Sequence, residues 1–204
     1  MSKLSKVLAL TAVVIAASAA IAVAATINGT AGNDTLAGTS MGDTINGYGG
    51  DDWIIGQGAG DNLYGGDGND RIYGDGSCPP GSAGPSVCST NDQGMDSGDN
   101  IDGGNGDDYI NGNGGGDNLS GGAGSDVIVG GAGGDNINGG DGNDAIYAQD
   151  GAKDNIDCGA GTDTAYVDKQ DNTKNCETVS TSPVASPTRL RHASRLHRAT
   201  TKHS

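Results

Sequence analysis

Phenylalanine is absent from the 204 residues, and the other aromatics amount to one Trp and six Tyr. A globular core of large side chains is therefore excluded. Glutamate occurs once, as Glu177. That rules out an EF-hand loop, whose twelfth position is a bidentate Glu. The three histidines, His192, His197 and His203, all lie in the last 25 residues. The rest of the chain can hold neither a His-based catalytic triad nor a His-ligated zinc. Cations are scarce too. Residues 26–179 contain Arg71, Lys153, Lys169 and Lys174 against 26 acids, a net charge of −22. Such a segment repels nucleic acid and anionic lipid and attracts cations.

Glycine is what the chain has in excess, with 39 residues, or about 19% against ~7% in ordinary chains. It does not fall at every third position, so a collagen triple helix is excluded. A long amphipathic helix is excluded as well, since each helical Gly costs roughly 1 kcal/mol relative to Ala. The N-terminus has a different character. Lys3 and Lys6 precede an apolar or small-residue run from Val7 to Ala25, and Ala22-Val23-Ala24 has the small-x-small form of a cleavage site. This predicts a signal peptide over 1–25 and a secreted, extracellular mature chain. The alternative is an uncleaved anchor, because nineteen such residues could just span a bilayer.

The remainder repeats with a period of nine. GGDGNDRIY (65–73) returns as GGNGDDYIN (103–111), GGAGSDVIV (121–129), GGAGGDNIN (130–138) and GGDGNDAIY (139–147). Looser copies start at Gly29, Gly38, Gly47, Gly56, Gly74 and Gly112, and degenerate ones at Ala148 and Cys158. Position six is Asp in all thirteen copies. Position eight is Leu or Ile in twelve and Ala165 in the last.

This pattern resembles the RTX, or hemolysin-type, calcium-binding nonapeptide family, GGxGxDxUx with U large and apolar. The resemblance implies an all-β fold, a parallel β-roll with two nonapeptides per 18-residue coil. Six residues form a glycine-rich turn. The triplet xUx forms a short strand with U inward and its neighbours outward. Asp at position six then stacks one strand spacing from Asp two repeats on, and like charges so placed require a cation. Ca²⁺ takes ~6–8 oxygens from carboxylates and carbonyls, whereas Mg²⁺ prefers to keep its waters. The resemblance makes Asp34, Asp43, Asp52, Asp61, Asp70, Asp99, Asp108, Asp117, Asp126, Asp135, Asp144 and Asp163 the expected ligands of multiple calcium ions. Asp154 is set aside, because Lys153 sits in a turn with one extra residue. Ordering a glycine-rich chain around so thin a core is costly, so folding is expected to depend on calcium.

Odd and even copies differ, which independently supports an 18-residue unit. Even copies carry Asn62, Asn100, Asn118, Asn136 and Asn155 at position seven, extended by Asn46 and Asn138 at position nine. Stacked amides can hydrogen-bond along such a ladder. The odd copies gather Trp53, Ile55, Tyr73, Tyr109, Val127, Val129, Tyr147 and Tyr166. This face reads either as ordinary strand propensity or as a docking or self-association surface.

The copy starting at Gly74 carries a 20-residue insertion, around 75–97, containing Cys78 and Cys88 beside Pro79, Pro80 and Pro85. Four cysteines allow three pairings. Cys78 and Cys88 are expected to close the inserted loop. The segment 154–179 resembles the C-terminal end of secreted bacterial members of the family. There Cys158 and Cys176 are read as a disulfide-closed cap over 158–179, worth about 3 kcal/mol. From Ser180 to Ser204 the chain is basic and Ser/Thr/Pro-rich. It is expected to be a disordered tail, with attachment to an anionic wall polymer as the functional alternative. The phosphate-loop mimic GQGAGD (56–61) is a repeat turn with no helix after it.

The sequence thus describes a non-enzymatic, secreted calcium-binding β-roll for surface or extracellular-matrix interaction. The alternatives are an accessory module for a separately encoded secreted enzyme and a calcium-dependent adhesin for carbohydrate, cells or ice. Neither nucleic acid nor, after signal cleavage, a membrane is an expected partner. No effector domain of the toxin, protease or lipase kind is expected in these residues.

Overall fold

The computed structural model describes residues 23–76 and 97–184, and the backbone of 13–15. The Cys78–Cys88 pair, most of the export segment and the tail beyond 184 lie outside the described residues.

Two parallel sheets run side by side along the molecule. One has the order β1 (Val13–Ile15), β3 (Thr35–Ala37), β5 (Trp53–Gln57), β7 (Arg71–Asp75), β9 (Tyr109–Asn111), β11 (Val127–Val129), β13 (Ala145–Ala148), β15 (Thr164–Val167) and β17 (Thr178–Ser180). The other has the order β16 (Asn172–Lys174), β14 (Asn155–Gly161), β12 (Asn136–Gly142), β10 (Asn118–Ala123), β8 (Asn100–Asn105), β6 (Asn62–Asp67), β4 (Thr44–Gly49) and β2 (Thr26–Asn28). Successive strands alternate between the sheets, so each coil contributes one strand to each. This is a parallel β-solenoid.

The register repeats every 18 residues, Asn118 pairing with Asn136. Where the insertion intervenes the separation becomes 38, Asn62 pairing with Asn100. At the extra residue near Lys153 it becomes 19, Asn136 pairing with Asn155. The sheet absorbs both irregularities in its turns and keeps every U residue in line.

The U residues form the core. Leu36, Ile45, Ile54, Leu63, Ile72, Ile101, Ile110, Leu119, Ile128, Ile137, Ile146, Ile156 and Ala165 are all buried, and Ile27, ahead of the first copy, extends the row. The alternation expected of a three-residue strand places them there, facing one another across the roll.

The strands of the even sheet run longer than the triplet the repeat predicts. From β4 to β14 they reach six or seven residues, because backbone pairing continues through the glycines of the following turn, as at Gly104 and Gly122. Gly122 has φ +110, and a Cβ there would collide with the carbonyl of Gly104 one coil back. Only glycine allows the turns to stack this closely.

The two outer faces differ as the 18-residue period implies. On the even face Asn100, Asn118, Asn136, Asn155 and Asn172 each donate Nδ2–H to the Asn of the preceding coil, at 2.9–3.2 Å. Asn46 does the same to Asn28 at 2.8 Å. On the odd face Trp53 and Tyr73 pack with ring centroids 5.2 Å apart, and Tyr147 stacks on Tyr166 at 4.9 Å. Much of this face is closed. Ile55, Tyr73 and Val129 are buried, while Tyr109, Tyr147 and Tyr166 are half-buried. At the C-terminal end Cys158 and Cys176 form a disulfide, which ties β14 to the segment after β16.

Candidate metal centre

Each turn delivers its position-six Asp to the interior, just before the strand begins. All thirteen of these side chains are buried: Asp34, Asp43, Asp52, Asp61, Asp70, Asp99, Asp108, Asp117, Asp126, Asp135, Asp144, Asp154 and Asp163. They form two columns, one on each edge of the roll. Along the odd edge, Asp34 N–H donates to Asp52 Oδ1, Asp52 to Asp70, Asp70 to Asp108, Asp108 to Asp126, Asp126 to Asp144 and Asp144 to Asp163, at 2.7–2.9 Å. The even edge runs Asp43, Asp61, Asp99, Asp117, Asp135 and Asp154 in the same way, at 2.7–2.9 Å. Asp154, set aside on sequence grounds, therefore takes the same seat as its neighbours.

Two further carboxylates complete the columns. Asp154 N–H donates to Asp171 Oδ1 at 3.1 Å, and Asp163 N–H donates to Glu177 Oε2 at 2.8 Å. Neither residue lies in a recognisable nonapeptide. The cap turns are shorter than a coil, so the ninefold spacing that marks the others is lost. A carboxylate downstream of the last repeat was the one available signal.

In every coil but the first, the second oxygen has no hydrogen-bond donor. Oδ2 of Asp52, Asp61, Asp70, Asp99, Asp108, Asp117, Asp126, Asp135, Asp144, Asp154 and Asp163 is buried and unpartnered. The first coil is different. There the backbone N–H groups of Thr30 and Thr39 donate to Oδ2 of Asp34 and Asp43, at 2.5 Å. Where position one is glycine, Oδ2 lies against that residue and, in most of these copies, beside the carbonyl of the matching residue one coil on; Asp154 and Asp163 have Ala148 and Cys158 at position one. A Cβ on Gly103 would collide with Asp108 Oδ2 and the Gly121 carbonyl. A Cβ on Gly121 would collide with Asp126 Oδ2 and the Gly139 carbonyl. Carboxylate and carbonyl oxygens thus converge without an intervening proton donor.

Burial dominates the electrostatics of these groups. It pushes the carboxyls of Asp52, Asp99, Asp108, Asp117 and Asp154 up to about 7, Asp61 to about 8, and Asp70 and Asp126 to about 6. Asp135 and Asp144 are raised for the same reason. Backbone N–H donors oppose the shift, and adjacent carboxylates of the column add to it at Asp52, Asp61, Asp108 and Asp117. A buried oxygen anion with neither donor nor cation is among the costliest arrangements in a fold. The donor set here is all oxygen and hard, which suits Ca²⁺ and offers nothing to a soft metal. Among the described residues no three acidic, His or Cys side chains converge on one point. Any ion held here therefore draws on main-chain carbonyls as well as on the paired carboxylates.

Comparison with known proteins agrees with this geometry. The chain matches the RTX calcium-binding nonapeptide repeat (4 copies) over residues 28–61, 55–77, 93–128, 120–152 and 129–165. No curated protein matches it significantly. The matched segments cover more than half of the sequence and coincide with the coils that bear the orphaned carboxylate oxygens. The chain belongs to the RTX calcium-binding nonapeptide repeat family.

Proposed function

We propose that this is a secreted, non-enzymatic calcium-binding β-roll in which calcium and folding are coupled. The observation that carries the reading is the set of eleven buried Oδ2 atoms without a donor. Bound calcium supplies the positive charge these columns lack. The chain contributes Oδ2 of Asp52, Asp61, Asp70, Asp99, Asp108, Asp117, Asp126, Asp135, Asp144, Asp154 and Asp163, together with carbonyls of the position-one residues. Asp34 and Asp43 belong to the same columns and complete the first coil. The Oδ1 atoms hold each Asp in register by accepting an N–H from the coil before, which fixes the direction of the second oxygen in the folded roll.

This arrangement suits a protein exported unfolded and ordered outside the cell. Extracellular calcium modules work at ~10⁻⁴–10⁻³ M, concentrations met outside the cytoplasm. The basic start, apolar run and Ala22-Val23-Ala24 support removal of residues 1–25, which takes β1 (Val13–Ile15) away and leaves β3 as the edge of its sheet. The roll then comprises 26–179, and the segment 180–204, whose first residues bond back to Gln149 through Ser182 and Val184, brings positive charge for an anionic surface. Surface or matrix interaction is the role we assign. Isothermal titration of the full mature chain with CaCl₂, with MgCl₂ as control, tests the binding. Several ions per chain for calcium and none for magnesium is the expected result. N-terminal sequencing of protein recovered from the medium of a secreting host tests the export. A chain still beginning at Met1 would refute it.

A further inference from the structure

The geometry points to a second site, a platform for a neutral glycan on the outer face of β2, β4 and β6. This inference rests on the extracellular, calcium-ordered reading above and adds a ligand to it.

One turn on this face carries an unusual backbone conformation. Position two of the odd turns is Gly66, Gly104, Gly122, Gly140 and Gly159 in five coils, with φ between +98 and +110. In one coil the position is Tyr48, with φ +75. A bulky residue in the left-handed region is a true outlier. Such strain persists where the surroundings force it, and it gathers at functional sites. The same turn position holds Gln57 at φ +93 and Asn113 at φ +71 on the other edge, so the turn imposes the conformation; what sets this coil apart is that an exposed aromatic carries it.

Tyr48 does not fill a core. Its side chain is 58% exposed, and its hydroxyl donates to Asn28 Oδ1 at 3.2 Å. The ring therefore lies back toward β2 and is pinned at its tip. Tyr64, 43% exposed, projects from β6 opposite Asn46. Asn46 itself donates to the same Asn28 oxygen at 2.8 Å. Two exposed aromatic rings thus flank a pair of fixed amides. At ~4.8 Å per strand the patch is about 10 Å across, enough for one or two pyranose rings.

The chemistry selects the ligand. Aromatic faces take the C–H faces of sugars, and amide groups exchange hydrogen bonds with hydroxyls. The four strands β2, β4, β6 and β8 contain no Lys or Arg, while Asp67 and Asp102 border the patch. An anionic polymer has no partner there and meets repulsion from the segment of charge −22. A neutral polysaccharide fits.

The test is affinity electrophoresis of the full mature chain in millimolar calcium. The native gels contain dextran, hydroxyethyl cellulose or laminarin, with dextran sulfate as the anionic counterpart. Retardation by at least one neutral polymer is expected, and any retardation by dextran sulfate, which the basic segment 180–204 can meet, should be indifferent to Tyr48 and Tyr64. Tyr48→Gly and Tyr64→Asn should each weaken it about tenfold or more, as for an aromatic anchor. Tyr147→Asn, on the opposite sheet, should leave it unchanged. Tyr48→Gly should keep the strand signal and melt no lower than the parent, since it relieves the left-handed strain. No retardation by any neutral polymer overturns the inference. So does retardation that survives both variants, or a Tyr48-dependent dimer without glycan retention. Circular dichroism of the same samples separates the two readings. A chain that gains no strand signal with calcium fails the calcium reading, and a folded chain without retardation fails the glycan reading alone.

Discussion

Removing calcium at neutral pH should unfold the roll, and the size of the effect follows from the orphaned oxygens. A buried polar group left without a partner costs about 1–3 kcal/mol, and more when charged. Eleven such oxygens amount to on the order of 10–30 kcal/mol. A domain's whole stability is typically about 5–15 kcal/mol. The core cannot offset the difference, because it is one U residue wide in each sheet. Chelation should therefore do more than loosen the structure. At pH 7.5 with EGTA, far-ultraviolet circular dichroism should show a disordered chain. Titration with calcium should restore strand signal cooperatively, because each ion shared between coils orders the next. Magnesium at the same concentration should restore none. Chelated protein with the strand content and melting temperature of the loaded form would refute the reasoning.

The pH dependence of the calcium-free chain should run opposite to ordinary acid denaturation. The buried carboxyls are raised to about 6–8 from about 3.9 in an unfolded chain. Their protonation therefore favours the fold most below about pH 4, and that contribution disappears as pH rises through 6–8. Acidifying chelated protein from pH 8 to 4 should increase its strand signal, and a flat profile would count against the burial argument. Asp117→Asn keeps an oxygen for the Asp99 N–H but removes a charge. It should lower the calcium stoichiometry by one or two ions in titration calorimetry, whereas an unchanged count would remove Asp117 from the ligand set. Gly121→Ala drives a methyl into Asp126 Oδ2 and the Gly139 carbonyl and should abolish calcium-induced folding. Gly32→Ala, whose nearest neighbour is Thr30 Oγ1 at 3.9 Å, should fold normally. Replacing Cys158 and Cys176 by Ser opens a link spanning 18 residues. It should cost about 3 kcal/mol, read as a lower melting temperature of the loaded form with little change in calcium stoichiometry.

Much of this molecule is legible without coordinates because a solenoid is nearly one-dimensional. Each coil contacts its neighbours, so a period in the sequence becomes a translation in space. The ninefold Asp, the apolar eighth position and the alternation of Asn62 with Arg71 or Asn118 with Val127 therefore predict two sheets, one core and two carboxylate columns. Aperiodic features were hidden. Asp154 looked misplaced by one residue, yet the turn absorbs Lys153 and the column continues through it. Asp171 and Glu177 close the columns from a cap whose spacing no longer matches the repeat. Ile55 and Val129 alternate outward along their strands but are buried, a matter of what packs over a face rather than of periodicity.

Repetition of the motif decided which residues share a row, because each coil is a translation of the one before it whatever the length of its turns. The tertiary structure decided which oxygen of each Asp is satisfied, why the first coil differs, and that Tyr48 is held at φ +75. Those depend on distances between chain segments a full coil apart, and a linear pattern carries no distances.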